Sequence, residues 1–324
     1  MERKFYIILN IVAVIILALI IIFKIDSFKV KSNFIYEIKN GSNISVIARE
    51  LEQNNAISVP FLFKITGKIM SILGIAKIKY GEFEIKKGTN FYDMIRIFSS
   101  TRFFLRSVTF PEGLTIKEML EIINNSSIKG EKISTHGLKE GYLMPETYSY
   151  TSFETKKKII EKMTQEMHDF LEETWKNNKN DQLKSEEELL ILASIVEKET
   201  GIDEERDLVS SVFTNRLKQG MKLQSDPTII YEVTKGQTNF NRPITKKDIQ
   251  SGHIYNTYKI KGLPPTPISC PSRKSIISAS KKTSSNYIYF VAIGDKSNRH
   301  YFSTTYPEHL KNIEKYKENL RNKN

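Results

Sequence analysis

The sequence predicts an α+β protein with an N-terminal transmembrane helix, a small α+β module, and a larger, mainly helical domain that carries a small β-hairpin or sheet. Three observations predict this. First, Phe5 to Phe23 is an apolar run whose one strongly polar member is Asn10, matching the length of about 20 residues that crosses a bilayer core. Second, between 34 and 108 glycine turns that lead into helical spacing alternate with period-two stretches, the pattern of short strand–helix units. Third, long helical periodicities dominate from 109 onward, with one strand pair near the end of the chain.

Composition narrows the function classes. A chain of 324 residues with 40% hydrophobic residues can bury a core and holds roughly two domains. Its net charge of +12 fits nucleic acid, anionic lipid or an acidic polymer as partner, or simply a lysine-rich proteome. No Arg-rich arm, zinc-finger spacing or RNP-like aromatic pattern occurs, so no nucleic-acid partner is expected. Cys270 is the only cysteine, which rules out an intrachain disulfide.

The apolar run ends at Ile22-Phe23-Lys24 without a small-x-small site. That favours an uncleaved anchor over a signal peptide, whose apolar region would be shorter. Arg3 and Lys4 precede it and favour a cytoplasmic N-terminus, although Lys24, Lys29 and Lys31 blur the contrast. The reading is a cytoplasmic tail at 1–4, a transmembrane helix at 5–23 and a polar linker at 24–33.

In the module at 34–108 and just beyond it, one pattern recurs three times. Gly41-Ser42 leads into Ile44, Ile47, Ala48 and Leu51. Gly88-Thr89 leads into Phe91, Met94, Ile95 and Phe98. Gly113-Leu114-Thr115 leads into Ile116, Met119, Leu120 and Ile123. Each is a turn glycine, a Ser or Thr cap and a helical stripe. Ile78 to Ile85 alternates like a strand. The first two units resemble the LysM-like module, a small sugar-binding βααβ fold; a plain spacer is the other reading.

The remainder, 109–324, forms the second domain. A solvated helix is expected within 153–180. Ser185 and Glu188 form a capping box that opens the run Leu189 to Val196. A helix apolar on all sides belongs inside a domain, and Gly201 suits its exit. A second helix is expected from Glu204 to Gln219, with Leu208, Val209, Val212, Phe213 and Leu217 as its stripe. A third opens at Asp226-Pro227, read as cap and first-turn proline. Thr245-x-x-Asp248 starts another. Gly262 to Pro267 is a stiff loop. Tyr287 to Ile293 and His300 to Ser303 read as a hairpin, and a charged helix closes the chain.

Glu197 is the candidate catalytic residue. It continues the buried row of Leu190, Ala193 and Ser194. An apolar setting and a helix C-terminus both favour a protonated carboxyl, as a general acid requires. The bland alternative is that Glu197 marks where the helix re-emerges, paired with Lys198 or Arg206. Glu199 points elsewhere and is the competitor, or a salt-bridge or capping residue. His136, His168, His253, His300 and His309 have no metal-ligand spacing, and no nucleophile elbow, P-loop or GxGxxG occurs. No metal and no cofactor are expected. A carboxylate-only site is what remains, the usual apparatus for glycosidic bonds.

The ordered elements Glu140-Gly141-Tyr142-Leu143-Met144-Pro145-Glu146-Thr147-Tyr148, Ala193 to Thr200, Val212 to Leu217, Gly220 to Thr228, Tyr255 to Tyr258, Gly262 to Pro265 and Tyr289 to Ala292 closely resemble the endolytic murein transglycosylase family, the YceG-like proteins. The resemblance is strong over 109–310 and loose before that. Glu146, Glu232 and Thr266 depart from its usual Asp, Gly and Gly, and Lys139 stands where leucine is usual. These departures bear on loop shape and substrate fit.

The resemblance implies an inner-membrane, single-pass protein whose catalytic part is extracytoplasmic and whose partners are peptidoglycan glycan strands and cell-wall synthases. It implies that Glu197 protonates the oxygen between N-acetylmuramic acid and N-acetylglucosamine. The carboxylate then takes the proton of the muramyl C6 hydroxyl, which attacks its own anomeric carbon and closes a 1,6-anhydro ring. Asn215, Arg216, Gln224, Asp226, Tyr255, Asn256 and Tyr258 are candidates to line the sugar groove. Arg216 is also a candidate partner of Glu197 or of peptide carboxylates, and Asp226 also reads as a helix cap. Two rivals stand: a hydrolytic muramidase with Asp226 as its second carboxylate, and a non-catalytic, membrane-anchored peptidoglycan-binding scaffold.

Overall fold

The computed structural model describes residue 6, residues 29–237 and residues 240–322. Apart from Tyr6, the expected membrane helix at 5–23 lies outside the described residues. Among those described, no helix is long and apolar enough to cross a membrane. The chain divides into two compact units, one ending at Arg106 with Ser149–Phe153 added, the other holding Ser107–Tyr148 and everything from Glu154.

The first unit runs β1 (Phe34–Ile38), α1 (Ile44–Gln53), α2 (Pro60–Ile72), β2 (Gly81–Ile85) and α3 (Phe91–Ser99). β1 and β2 pair antiparallel, with Phe34 opposite Ile85 and Ile38 opposite Gly81. Alternation buries Tyr36, Ile38, Phe83 and Ile85 on one face. The helices add Ile47 and Leu51 from α1, Phe63 and Met70 from α2, and Phe91, Met94, Ile95 and Phe98 from α3.

The two glycine-led repeats therefore build one β-α-α-β-α unit rather than two separate ones. Their caps sit one residue later than expected. Asn43 accepts from the Ser45 and Val46 N–H groups, and Asn90 accepts from the Asp93 N–H. The amide oxygen of Asn is as good an N-cap as a Ser or Thr hydroxyl, and the Thr89 hydroxyl instead closes the turn onto Lys86 O. The turn pattern gives no sign of α2, which starts at Pro60. A Cβ on its Gly67 would lie 2.7 Å from Ile44 Cδ1, so any larger residue there requires the Ile44 side chain to move.

The strands β3 (Arg106–Thr109) and β4 (Thr147–Tyr150) straddle the division, and the second unit holds α4 (Ile116–Asn125), α5 (Lys156–Lys176), α6 (Glu186–Glu199), α7 (Asp203–Lys218), α8 (Asp226–Thr234), α9 (Lys246–Gln250), α10 (Arg273–Ser280), β5 (Tyr289–Ala292), β6 (His300–Ser303) and α11 (Tyr306–Arg321). β5 and β6 form an antiparallel ribbon, with Tyr289 opposite Ser303. The fold is mixed and mostly helical, and the described strands pair only in twos.

α6 is its centre. Leu189 to Val196 are all buried, as expected for a helix apolar on every side. It packs against α5, α7, α8 and α10. Both of its ends differ from expectation. Ser185 accepts from the Glu188 N–H, but Glu188 reaches past it to the Lys184 N–H at 2.6 Å, so the box is skewed by one residue. At the exit, Gly201 adopts no left-handed turn. The chain leaves through extended, buried Thr200, whose hydroxyl accepts from the Ile202 N–H at 3.0 Å.

α7 buries polar residues beside Val209, Val212 and Phe213, and these are tied to other segments of the unit. Glu205 meets His300 of β6 at 2.9 Å. Ser210 donates to Ser278 O, and Thr214 accepts from Asn180 Nδ2. Buried polar groups need such partners, so α7 works as a polar spine that holds α10 and the β5–β6 ribbon.

Candidate active site at the end of helix α6

The last turn of α6 presents two carboxylates, Glu197 and Glu199. Two residues apart, they face different sides of the helix, and the structure gives them different neighbours.

Glu197 is almost fully enclosed, its side chain 6% exposed. Its setting is polar rather than apolar, which corrects the expectation. Glu197 Oε2 accepts from the Ser272 N–H at 2.9 Å, from Ser272 Oγ at 2.5 Å and from Arg206 Nη1 at 3.4 Å. Ser272 is the N-cap of α10 and also accepts from the Ser275 N–H. The carboxylate thus lies at the positive end of α10, which answers the negative end of α6. Arg206 is 4% exposed, and it also donates to Ser275 Oγ at 2.6 Å and to Asp203 at 3.1 Å. Hydrogen bonds from Lys274 and Arg206 lower the pKa of Asp203. Among the described residues, Glu197 Oε1 has no hydrogen-bond partner.

Two loops make this setting. The segment before α10 is stitched along α6: the Ile268 N–H donates to Ser194 Oγ, Ser269 Oγ donates to Ser194 O, and Ser272 reaches Glu197. The Pro111–Thr115 turn is bolted to the same segment. The Gly113 N–H donates to Cys270 O, the Cys270 N–H donates to Leu114 O, and Lys198 Nζ donates to Gly113 O. Gly113 has φ +73°, and a Cβ there would lie 3.4 Å from Glu197 Cγ. Glycine is favoured here by the left-handed backbone, while the space would admit a Cβ in ordinary contact with Glu197.

That turn carries Glu112, a carboxylate the sequence reading passed over because it took Pro111-Glu112-Gly113 only as a helix start. Burial of its carboxyl and the neighbouring Glu197 charge raise its pKa, against Arg206 and Lys274. Asp226 was the second carboxylate proposed for a hydrolytic rival, but it sits with Glu199 and Tyr258. Asp226 is not the cap of α8 either. Ser225 holds that position without a side-chain capping bond, and Asp226 in the first turn accepts from Tyr258 Oη at 2.7 Å.

Glu199 is the carboxyl that desolvation pushes up, to about 7; the nearby Asp226 charge adds to this, and the Ser225 hydroxyl, donating at 2.5 Å, opposes it. Other expected groove residues have structural attachments. Asn215 donates to Ser285 O and Tyr287 O, and buried Arg216 donates to Ile288 O and Leu223 O rather than to Glu197. Asn256 donates to Ile249 O and Ser251 O and accepts from the Tyr258 N–H. Tyr255 bonds the Thr266 hydroxyl at 2.6 Å and packs on Tyr231. Gln224 is exposed, in a left-handed conformation at φ +52°. Gln224, Asp226 and Tyr258 are the expected residues with freedom to meet a ligand. Among the described residues, no His, Cys, Asp and Glu cluster could hold a metal ion.

The Glu199 shift has a consequence for stability. A carboxyl raised in the fold binds its proton more tightly there than in the unfolded chain. Its contribution is complete below the ordinary value of 4.5 and is lost as pH rises through about 7. Glu199→Gln removes this dependence. In denaturant titrations at pH 5 and pH 8, the variant is expected to lose less stability between the two than the parent; an equal loss in both contradicts the assignment.

The sequence pattern of the YceG-like family matches residues 36–315. The endolytic murein transglycosylase of Bacillus subtilis (strain 168) is 29% identical, the match covering 86% of this chain and 83% of that protein. The protein of the same name from Streptococcus pneumoniae serotype 2 (strain D39 / NCTC 7466) is 26% identical over 85% of this chain, which spans only 57% of that longer relative. The crystal structure of a YceG-like protein from Listeria monocytogenes is 27% identical and superposes with a TM-score of 0.52, covering 87% of this chain and 99% of that one. With the family pattern spanning most of the sequence and both units represented in it, this chain belongs to the YceG-like family.

Proposed function

We infer that this chain is an endolytic murein transglycosylase, a lyase that cuts peptidoglycan glycan strands between N-acetylmuramic acid and N-acetylglucosamine and leaves 1,6-anhydro ends. Membership of the YceG-like family and two relatives bearing that name over most of this chain support the activity.

The observation that carries the site assignment is the asymmetric holding of Glu197. All three of its donors converge on Oε2. Oε2 is therefore the fixed acceptor, and Oε1 is the oxygen left to carry a proton toward the bridging oxygen of a bound strand. Geometry of this kind orients a general acid before substrate arrives. The nucleophile is the muramyl C6 hydroxyl, so the reaction consumes no water.

The β1-α1-α2-β2 order and its antiparallel strand pair support reading the first unit as LysM-like. The apolar run at 5–23 and its basic flank support a single-pass anchor with the catalytic unit outside the cytoplasm. Gln224, Asp226 and Tyr258 are the proposed sugar-groove residues, and cell-wall synthases the proposed neighbours. A scaffold role without catalysis has no comparable support, because the named relatives are transglycosylases.

Glu197→Gln keeps the shape and can still bond Ser272, but it cannot carry a proton between substrate atoms. In digests of purified sacculi with the full chain, this variant is expected to retain its fold and to release fragments at least about 100-fold more slowly, the low end of what proton transfer contributes. Turnover near the parent rate by the folded variant would reassign the acid, with Glu199 next to be tested.

A further inference from the structure

We propose that the exposed face of α2 docks on an anionic phospholipid surface, so that the first unit lies against the bilayer. The inference rests on the single-pass reading and goes beyond it: the anchor ties the unit to the membrane, and α2 supplies a second, interfacial contact.

Three observations carry it. The first is the face itself. α2 buries Phe63, Thr66, Gly67 and Met70. Its other side is also apolar and is left in water. Phe61 is 65% exposed and Ile72 84%, and Ile69, Leu73 and Ile75 are exposed as well. Phe61, Ile65, Ile69 and Ile72 follow the spacing of one helical stripe. The turn after the helix is fixed by its backbone, with the Leu73 N–H on Ile69 O and the Ile75 N–H on Met70 O, both at 2.9 Å. Leu73 and Ile75 are thus held outward. An apolar patch concentrated in this way marks a surface with a partner.

The second is charge. Lys64 and Lys68 lie along the same stripe, and Lys77 and Lys79 follow it. No acidic residue stands between Glu52 and Glu82. Among the described residues, these lysines make no ion pair. An apolar stripe lined by lysines suits a helix lying in the membrane interface. Its apolar side chains reach roughly 5–10 Å into the boundary of headgroups and acyl chains, while the ammonium groups meet lipid phosphates.

The third is reach. The apolar run ends at Phe23, and Val30 already belongs to the core of the first unit. Its N–H donates to Thr89 O, and its carbonyl accepts from the Gly88 N–H. Residues 24–29 can span no more than about 22 Å even when fully extended. With the run in the bilayer, the unit stays at the membrane surface and meets it at the high effective concentration of a short tether. The bilayer is therefore the partner within constant reach, and the lysines match its anionic headgroups.

The test uses the full chain in vesicles of phosphatidylcholine with and without phosphatidylglycerol. Cys270 is buried, so a polarity-sensitive fluorophore can be placed through Ile72→Cys. The control is Glu84→Cys, on the sheet face turned away from the core. Circular dichroism checks the fold, and alkaline extraction checks the anchor. With phosphatidylglycerol present, the probe at 72 is expected to shift to the blue and to be quenched by spin-labelled lipid, and the probe at 84 to do neither. Omitting phosphatidylglycerol is expected to lower the ratio of docked to undocked chain. Lys64→Gln and Lys68→Gln are expected to lower it by about five-fold each. A probe at 72 left unshifted and unquenched, equal quenching at both positions, or quenching indifferent to phosphatidylglycerol and the lysines would each overturn the proposal. A blue shift without lipid quenching would also overturn it and would assign the face to a second copy of the chain or another protein. Extraction separates this failure from that of the anchor. A chain retained in the membrane with an unquenched probe at 72 sinks only the docking, whereas a chain released from it sinks the anchor reading and the docking with it.

Discussion

A helix buried on every side has to find partners for its polar last turn, and the catalytic unit is organised around that constraint. From Leu189 to Val196, α6 is buried throughout and apolar at every position but Ser194. That serine and the two glutamates beyond Val196 must be satisfied close to the interior. Ser194 receives the loop before α10, Glu197 receives the α10 cap and Arg206, and Glu199 receives Ser225. Each of these attachments fixes a loop as well as a side chain. Removing the Glu197 carboxylate would leave the cap of α10 and a buried guanidinium without their shared acceptor, so the same interaction supports the fold and poises the site.

The two carboxylates of that last turn also show how one helix can supply different electrostatic environments. Glu197 faces a helix N-terminus, a guanidinium and a hydroxyl. Glu199 faces a single hydroxyl and the charge of Asp226, and desolvation dominates it. Anchoring, more than desolvation, distinguishes the candidate acid. The same donors that hold Oε2 leave the second oxygen free, which is the geometric requirement for proton transfer to a bound strand.

Much of this was legible along the chain because it is local. The all-round apolar run marked α6 as interior, Thr245-x-x-Asp248 gave its capping box, and the hairpin at β5–β6 followed from alternation and a turn. Glu197 stood out because the buried row runs into it. What was not legible comes from distant segments. Ser272 lies 75 residues from Glu197 and reads only as a residue in a proline-rich loop. Glu112 belongs to a turn whose helix-start signature conceals its carboxylate. Asn215, Arg216 and Asn256 looked like recognition residues because their side chains are rich in donors, but those donors are committed to main-chain carbonyls. Periodicity cannot distinguish a donor aimed at a ligand from one aimed at a loop.

The central claim is that the site transfers the muramyl C6 hydroxyl rather than water. It is tested most directly by weighing the fragments that the full chain releases from purified glycan strands. New ends are expected to be 1,6-anhydro-N-acetylmuramic acid, one water lighter than a reducing end, and to arise from cuts inside the strands. Fragments ending mainly in reducible muramic acid would contradict it and would make this a muramidase.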